Sequence, residues 1–337
     1  MKKLSFQKKM IFLGLLLLGL FLCAFLIGRY PMGPVDVIKV ILSRFAPVTR
    51  TWSDTVETVV FDVRLPRILM AILVGAGLSC TGSTFQGIFK NPLVSPDLLG
   101  VTAAAGLGAA IGIMLDAGSA TVQLLAFVAG IVGVSIALFI SRIKGSSPMI
   151  MLVLSGVVVK SLFDAGIAII KCMADPLEKL PAITYWLMGS LSATRWEHIA
   201  VAAPIILLCM GLLCALGWRI NVLSMGDKEA RSLGVRTERA KMAIVACSTL
   251  ICATTVCMCG NISWVGLVIP HIARMFVGPD YRKLMPASIL IGASFLLIVD
   301  GILRSMMATL PVSVMTSLIG APFFAVLIRR TKGGWNR

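Results

Sequence analysis

Residues 224–259 read SMGDKEARSLGVRTERAKMAIVACSTLICATTVCMC. Eight of the fifteen residues from Asp227 to Lys241 are charged. The apolar run that follows has about twenty residues, enough for a helix to cross a bilayer core of about 30 Å. Backbone groups in lipid must be satisfied within their own segment, which at this hydrophobicity requires a helix. The stretch therefore predicts a membrane-spanning helix joined to a concentrated charged segment.

Similar apolar segments recur along the whole chain. Of its 337 residues, 58% are hydrophobic and 14% are charged, with a mean hydropathy of +0.96. Soluble domains have about a quarter charged residues. The alternation that a membrane barrel requires is absent. We predict an all-α, polytopic membrane protein with one domain over residues 1–337 and about ten transmembrane helices, at 10–28, 68–88, 98–115, 121–140, 149–170, 198–218, 240–259, 262–277, 287–304 and 312–328.

The distribution of Lys and Arg predicts the orientation. With the N-terminus placed in the cytoplasm, the cytoplasmic segments hold twenty of the 31 Lys and Arg residues, as the positive-inside rule requires. Both termini are therefore expected to be cytoplasmic. Two segments on the outer side, about 29–67 and about 172–197, are longer than turns. Each contains an apolar piece too short to span, PVDVIKVILSRF and PAITYWLMGSL.

The sequence lacks the residues that several other functions require. Gly82 and Gly87 have the spacing of a phosphate-binding loop, but Ile88 occupies the place of its Lys. The nine Cys form no Cys-x-x-Cys motif, and the chain has only two His. The net charge of +16 is not gathered into a basic cluster with aromatic residues, so nucleic acid is not an expected partner. We expect no catalytic site, metal site or cofactor in this chain.

Two membrane functions of another class need separate consideration. A secondary transporter or channel would work without an ATPase, but it would use interrupted helices in both halves, and the sequence gives no sign of them. A membrane electron carrier would need pairs of haem-ligating His within the spans. A capped, charged loop is more typical of a protein that transmits motion to a cytoplasmic partner.

The charged segment has the features of a short helix. Ser224 and Asp227 have the spacing of a capping box. Ala230 and Leu233 are three residues apart and are expected to share one face. Gly234 stands where a helix end favours a positive φ, and Thr237 is expected to cap the next helix. We predict a two-turn cytoplasmic helix at about 224–235.

The fifth apolar segment contains two charged residues. Lys160 and Asp164 are four residues apart and lie on one helical face. A charge near mid-bilayer costs about 3 kcal/mol on insertion scales, so both are expected to face protein or water. Two interpretations stay open. The residues form a self-neutralising pair, or this helix lines a path in which Lys160 favours an anionic chelate.

Several longer motifs resemble a known family. GDKEARSLGV (226–235) resembles the coupling-helix motif of FecCD-type permeases, the membrane subunits of the ABC importers for ferric siderophores, haem and cobalamin. The resemblance extends to RLPRILMAILVGAGLSCTGSTFQGIFKNPLVSPDLLGVTAAAG (64–106), WVGLVIPHIARM (264–275) and VDGILRSM (299–306). Family members are usually apolar or small at positions 160 and 164, so the charged pair is a departure.

The resemblance implies roles for particular residues. The helix that couples the permease to its ATPase would comprise Gly226, Asp227, Glu229, Ala230, Arg231, Leu233 and Gly234. Outward-facing arginines that meet a binding protein would be Arg64, Arg67 and Arg304. The loops that help to close the path would include Asn91 and Leu93 and, with a looser correspondence, Ser146 and Ser147.

The resemblance also implies an assembly. Two identical permeases would pair around a central path, each on an ATPase subunit that holds ATP and Mg²⁺, with a substrate-binding protein on the outer face. The chain itself would not be an enzyme. The expected substrate is an iron–siderophore complex, with haem, cobalamin and an oxyanion such as molybdate as alternatives. The expected location is the bacterial cytoplasmic membrane.

Overall fold

The computed structural model describes residues 5–44, 46–47, 49–142, 149–306 and 310–330, and all regular structure in these ranges is helical. The α-helices are α1 (Phe6–Ala24), α2 (Pro34–Leu42), α3 (Asp54–Thr58), α4 (Leu65–Ile88), α5 (Val101–Met114), α6 (Ser119–Ser141), α7 (Met149–Met173), α8 (Lys179–Met188), α9 (Trp196–Ala215), α10 (Gly217–Met225), α11 (Asp227–Ser232), α12 (Thr237–Cys259), α13 (Val265–Val277), α14 (Tyr281–Met306) and α15 (Val312–Arg330). A π-helix, Val59–Arg64, leads into α4, and a 3-10 helix, Pro96–Leu99, precedes α5.

Every predicted span coincides with a helix. Seven helical segments in the described ranges are long and apolar enough to cross a membrane, namely α1, the continuous segment Asp54–Ile88, α6, α7, α9, α12 and α14. The other three predicted spans fall on shorter apolar helices, α5, α13 and the first part of α15. The helical, polytopic class is confirmed. The second span begins earlier than predicted, because α3 and the π-helix continue into α4 without a break.

Polar contacts at the helix ends define two faces of the bundle. The Lys9 ammonium donates to the carbonyl oxygen of Phe276, so the start of α1 meets the end of α13; we call this end the N-terminal face. At the other end, the opposite face, Arg304 donates to the carbonyl oxygen of Ala24 at the end of α1. Because α14 begins beside the start of α1 at one face and ends beside the end of α1 at the other, the two helices run parallel.

The centre of the bundle is α4, which is buried along most of its length and packs most extensively against α14. Small residues allow the close approach. A Cβ on Gly82 would overlap the carbonyl oxygen of Gly266 in α13, and a Cβ on Gly75 would overlap that of Gly292. The Ser83 hydroxyl donates to Ser288 Oγ at 2.8 Å. Tight packing of small residues holds helices together where lipid provides no hydrophobic driving force.

The predicted outer segments contain short helices. The segment at about 29–67 holds α2, α3 and the π-helix. The segment at about 172–197 holds α8, whose ten residues are too few to span and whose Ile183 is buried among residues of the bundle. Both findings agree with the prediction of apolar pieces that do not cross the membrane.

Two stretches of non-helical backbone lie inside the bundle: one interrupts the predicted span 98–115, and the other falls at the predicted boundary between the spans 240–259 and 262–277. The 3-10 helix before α5 ends at Gly100, which has φ +77°. Between α12 and α13, residues 260–264 are not helical, and Gly260 and Trp264 have φ of +69° and +71°. Non-helical backbone at this depth is tolerated where it is buried in protein or lines a cavity. These two segments line the same cavity.

Candidate functional site

A cavity of about 360 Å³ lies between α5, α7, α8 and the interrupted segments, and we call it the α7 cavity. Its charged lining consists of two carboxylates and two ammonium groups, from Asp97, Asp164, Lys160 and Lys171. Thr102 and Asn261 add neutral polar groups, and Ile167, Trp186, Leu187 and Val256 add apolar ones. Such a mixture can hold a ligand that has both charged oxygen atoms and an organic surface.

Lys160 pairs with Asp97 rather than with Asp164. The Lys160 Nζ lies 3.1 Å from Asp97 Oδ2, and the two side chains are 48% and 35% exposed. The interpretation of Lys160 and Asp164 as a self-neutralising pair is therefore wrong, because the 3-10 helix brings another carboxylate closer. Both residues do line a cavity. Asp97 was not among the predicted site residues, although an acidic residue at the start of an apolar segment was a signal.

A second cavity of about 210 Å³, the α13 cavity, adjoins the first. Four residues line both cavities: Asp97, Thr102, Val256 and Asn261. The rest of its polar lining includes Ser95, Thr255 and Ser263. Asp97 Oδ1 is buried and has no hydrogen-bond partner among the described residues. Asp97 therefore stands in the wall that the two cavities share.

The charged helix on the N-terminal face is shorter than predicted and begins differently. Ser224 belongs to α10, and its hydroxyl donates to the carbonyl oxygen of Asn221, so the predicted capping box is wrong. Gly226, with φ +154°, is the N-cap of α11, so no side chain caps the start of this helix. The Asp227 carboxylate instead accepts from Lys241 Nζ of α12 at 2.5 Å. This ion pair ties the start of α11 to the following span.

The end of α11 matches the prediction at Gly234. Its φ is +78°, its N–H donates to the Arg231 carbonyl, and the Val235 N–H donates to the Ala230 carbonyl. These are the two hydrogen bonds of a Schellman motif. Thr237 is not a cap, because it is the first residue of α12 and its hydroxyl accepts from Arg231 Nε at 3.3 Å.

Ala230 and Leu233 do not share one environment. Ala230 is fully buried against the bundle, whereas Leu233 is 54% exposed. Because α11 is so short, Ala230 lies on its buried side while Leu233, three residues later, already lies at its exposed end. The exposed residues of α11 and its flanks form what we call the α11 surface, made of Asp227, Lys228, Glu229, Arg231, Ser232, Leu233 and Gly234.

A polar clamp fastens α10 to the start of α14. The Asn221 side chain donates to Asp280 Oδ1 at 2.7 Å and accepts from the Tyr281 N–H at 2.9 Å. The hydrogen bond from Asn221 is the main reason that the pKa of Asp280 lies below its ordinary value, with the Arg282 N–H and the charges of Lys283 and Arg282 acting in the same direction. Neither Asn221 nor Asp280 was among the predicted site residues.

The three arginines expected to face outward are turned into the bundle at the opposite face. Arg64 is 4% exposed and donates to the carbonyl oxygens of Phe25 and Tyr30. Arg67 Nε and Arg304 Nε lie 2.7 and 2.9 Å from the two oxygens of Asp300, which is fully buried. Docking of a binding protein on these residues stays a prediction. Asp300 was not among the predicted site residues, although its spacing of four from Arg304 was a signal.

The residues expected to close the path lie at the end of α4. Asn91 Oδ1 accepts from the Leu93 N–H at 2.9 Å, and both residues are exposed. The Pro92 carbonyl oxygen lies 2.9 Å from His271 Nε2, which joins this turn to α13. Ser146 and Ser147 lie outside the described residues.

Comparisons with known proteins agree with this architecture. The profile of the FecCD transport family matches residues 15–330. The molybdate import system permease protein MolB of Haemophilus influenzae is 37% identical over 335 residues, 98% of each chain. A probable iron chelatin transport system permease protein of Helicobacter pylori is 40% identical over 83% of this chain and 85% of its own. The hemin transport system permease protein HmuU of Yersinia pestis is 34% identical over 83% and 86%.

A solved structure extends the match to three dimensions. It is described as a metal-chelate type ABC transporter in an inward-facing conformation, and it covers 97% of this chain and 100% of its own with a TM-score of 0.84 at 35% identity. The chain therefore belongs to the FecCD transport family and is the membrane-spanning permease of an ATP-binding-cassette importer, whose ATPase is a separate subunit.

Proposed function

We propose that two copies of this permease carry an iron–siderophore complex across the bacterial cytoplasmic membrane. Each copy would rest on an ATPase subunit, and an extracytoplasmic binding protein would deliver the substrate. The observation that carries the proposal is the α7 cavity, which combines ammonium groups with aromatic and aliphatic side chains. An iron–siderophore complex presents anionic oxygen atoms within an organic shell. The ammonium groups can bind the oxygen atoms, and the aromatic and aliphatic side chains can pack against the organic shell.

The orientation of the proposed importer follows from charge. The N-terminal face holds the α11 surface and the start of α1, where Lys and Arg are concentrated, so it is assigned to the cytoplasm. The opposite face then receives the binding protein. The α7 cavity extends toward that face, because Trp186 and Leu187 of α8 line it, and the carbonyl oxygen of Gly189, just after α8, accepts from the N–H of Val312 beyond the end of α14.

The attachment of α11 suits it to transmit force from an ATPase. Ala230 is buried, Asp227 is paired with Lys241 of α12, and the preceding α10 is clamped to α14 through Asn221. A displacement of the α11 surface would therefore move α12 and α14 together. Alternating access of the cavity needs such a rigid connection, because the ATP is hydrolysed on another subunit.

A second substrate class has specific support. The relative MolB, which matches this chain over 98% of its length, is named as a molybdate importer. Lys160 and Lys171 could hold a small oxyanion as well as a chelate. A molybdate ion, however, has no organic surface to occupy the apolar part of the cavity. Haem and cobalamin, which do have organic surfaces, remain alternative substrates.

The test is uptake by proteoliposomes that contain the permease, its ATPase and its binding protein. Ferric citrate, a ferric hydroxamate, molybdate, haem and cobalamin would each be offered in labelled form, with ATP inside the vesicles. We expect ATP-dependent accumulation of a ferric chelate. If only molybdate accumulated, the substrate class would be an oxyanion instead of a ferric chelate. Uptake without ATP would contradict the importer mechanism.

Control vesicles would carry Leu233→Ala. Leu233 is exposed on α11, so its truncation leaves the bundle intact but removes an apolar contact that the ATPase would use. We expect ATP hydrolysis to continue while uptake falls. Normal uptake by this variant would show that α11 is only a connector.

A further inference from the structure

We propose that the Lys160–Asp97 ion pair is a gate in the middle of the membrane, and that an anionic group of the substrate opens it by taking the place of Asp97 beside Lys160. The inference rests on the proposed function in one respect, namely that the α7 cavity is part of the transport path. It adds the device that keeps the two cavities of one permease separate when no substrate is present.

The position of Asp97 is the first observation. It lines both cavities, whereas Lys160, Asp164 and Lys171 line only the α7 cavity. The α13 cavity is lined by Leu267, whose carbonyl oxygen accepts from Gln86, two residues before the end of α4 at the N-terminal face. A substrate that moves from the opposite face toward the N-terminal face therefore meets Asp97 between the two cavities.

The backbone around Asp97 is a short segment, separate from the longer helices on either side. The 3-10 helix has only four residues and ends at Gly100, whose φ of +77° separates it from α5. Leu98 packs directly on α7, because a Cβ on Gly156 would overlap the Leu98 carbonyl oxygen. The Lys160–Asp97 ion pair is the charged link between this short segment and α7. Loss of that link would leave the segment held mainly by van der Waals contact.

The surroundings of the pair favour exchange of its anion. Both side chains are partly exposed to the cavity, so water and ligands can reach them. Asp97 Oδ1 has no partner among the described residues, and thus only one of its two oxygens is engaged. An anion that reached Lys160 would also lie near Asp97 and Asp164, and like-charge repulsion would drive the Asp97 carboxylate away. A neutral solute would not have this effect.

The test measures access to the α13 cavity from the opposite face. A reporter cysteine would replace Ser263, which lines that cavity, in a background where Cys23, Cys172 and Cys252 are changed to Ala. The permease with its ATPase, in proteoliposomes without ATP, would be treated from the opposite face with a small thiosulfonate reagent. Size-exclusion profiles and binding of the ATPase would confirm that each variant is folded.

We expect Lys160→Met and Asp97→Asn each to speed labelling of the reporter about three- to fivefold, the population shift that loss of a partly exposed ion pair produces. Asp116→Asn is the matched control and should leave labelling unchanged, because it removes one charge of another partly exposed ion pair, with Lys179, that lines neither cavity. The exchanged pair, Asp97→Lys with Lys160→Asp, should restore slow labelling but not uptake, because the ammonium then stands on the wrong segment. Equal labelling in all variants would overturn the gate.

The substrate step has its own test. Ferric citrate and molybdate would each be added from the opposite face, and at least one of them should speed labelling of the reporter with the native pair and have no effect on the labelling of Lys160→Met. An unchanged rate with the native pair would overturn opening by the anion. These labelling results do not require uptake, so a failure of the gate is distinguishable from a failure of the proposed substrate class.

Discussion

Two groups of paired charges lie in very different surroundings in this permease. At the opposite face, the Asp300 carboxylate is fully buried between Arg67 and Arg304, at 2.7 and 2.9 Å. In the α7 cavity, Lys160 and Asp97 are 3.1 Å apart and partly exposed. The first group cannot be separated without leaving a buried, uncompensated charge, whereas the second can exchange partners with solvent or substrate. Burial decides whether an ion pair fixes the fold or can take part in transport.

The largest expected effect is the loss of the buried carboxylate. Asp300→Ala leaves Arg67 and Arg304 without their anion, which should lower the free energy of unfolding by about 3–5 kcal/mol. Denaturant unfolding in detergent micelles would measure it. The matched control is Asp62→Ala, since Asp62 is an exposed carboxylate just before α4. Similar small losses in both variants would show that the guanidinium groups find other partners.

The next effect concerns the α11 surface. Gly234→Ala forces a residue with a Cβ into φ +78°, and no atom lies within 4 Å of that Cβ, so the cost is limited to about 1 kcal/mol of backbone strain. Gly278→Ala is a matched control, because Gly278 has φ +92° and equally open surroundings at the end of α13. Both should lose similar stability. Only Gly234→Ala should raise the amount of ATP hydrolysed per substrate transported. An equal ratio in the two variants would show that α11 takes no part in coupling.

A smaller effect is expected for the cavity pair. Asp97→Asn removes one charge of a partly exposed ion pair, so the free energy of unfolding should change by less than about 1 kcal/mol. The same unfolding experiment gives a direct comparison with Asp300→Ala. A loss as large as that of Asp300→Ala would mean that the Lys160–Asp97 pair fixes the fold, and the contrast between the two groups of charges would disappear.

The smallest effect is the dependence of the α10–α14 clamp on pH. The pKa of Asp280 in the folded chain lies below its ordinary value of 3.8, chiefly because of Asn221. The ionised carboxylate therefore contributes stability above pH 3.8, and this contribution is lost as the pH falls through the lower, folded-state pKa. The stability difference between Asn221→Ala and the unchanged chain should be constant from pH 7 to pH 5 and shrink below pH 4. The Asn221–Tyr281 hydrogen bond does not depend on pH, so part of the difference should remain in acid; a difference that does not shrink at all below pH 3.8 would exclude the ionised carboxylate as a contributor.

Much of the fold could be predicted from the sequence because lipid imposes simple rules. An apolar run of sufficient length must be helical, and each of the ten predicted spans contains a helix. The interruption at Gly100 was not foreseen, whereas the break at 260–264 falls at the predicted boundary between the spans 240–259 and 262–277. Hydrophobicity gives no signal at Gly100, because Leu98, Leu99 and Val101 beside it are apolar and protein packing satisfies the backbone groups.

The candidate site was predictable in part. Gly234 was identified because a positive φ at a helix end has a strong residue preference, and Lys160 because a charge in an apolar segment is costly. Their partners were not identified. Asp97 is 63 residues from Lys160 along the chain, and Asp300 is 233 residues from Arg67, so local spacing could not pair them. The capping box failed because α10 extends through Ser224 and leaves Gly226 as the cap.

The α11 surface and the lining of the two cavities have no residue in common. Selection on cargo can therefore act on Asp97, Lys160, Asp164 and Lys171 without disturbing the residues that recognise the motor subunit. One motor could serve permeases of divergent cargo, and one cargo could be retained while the motor is replaced. This independence offers a route by which permeases as alike as this chain and its relatives came to bear the names of molybdate, iron chelate and hemin transporters.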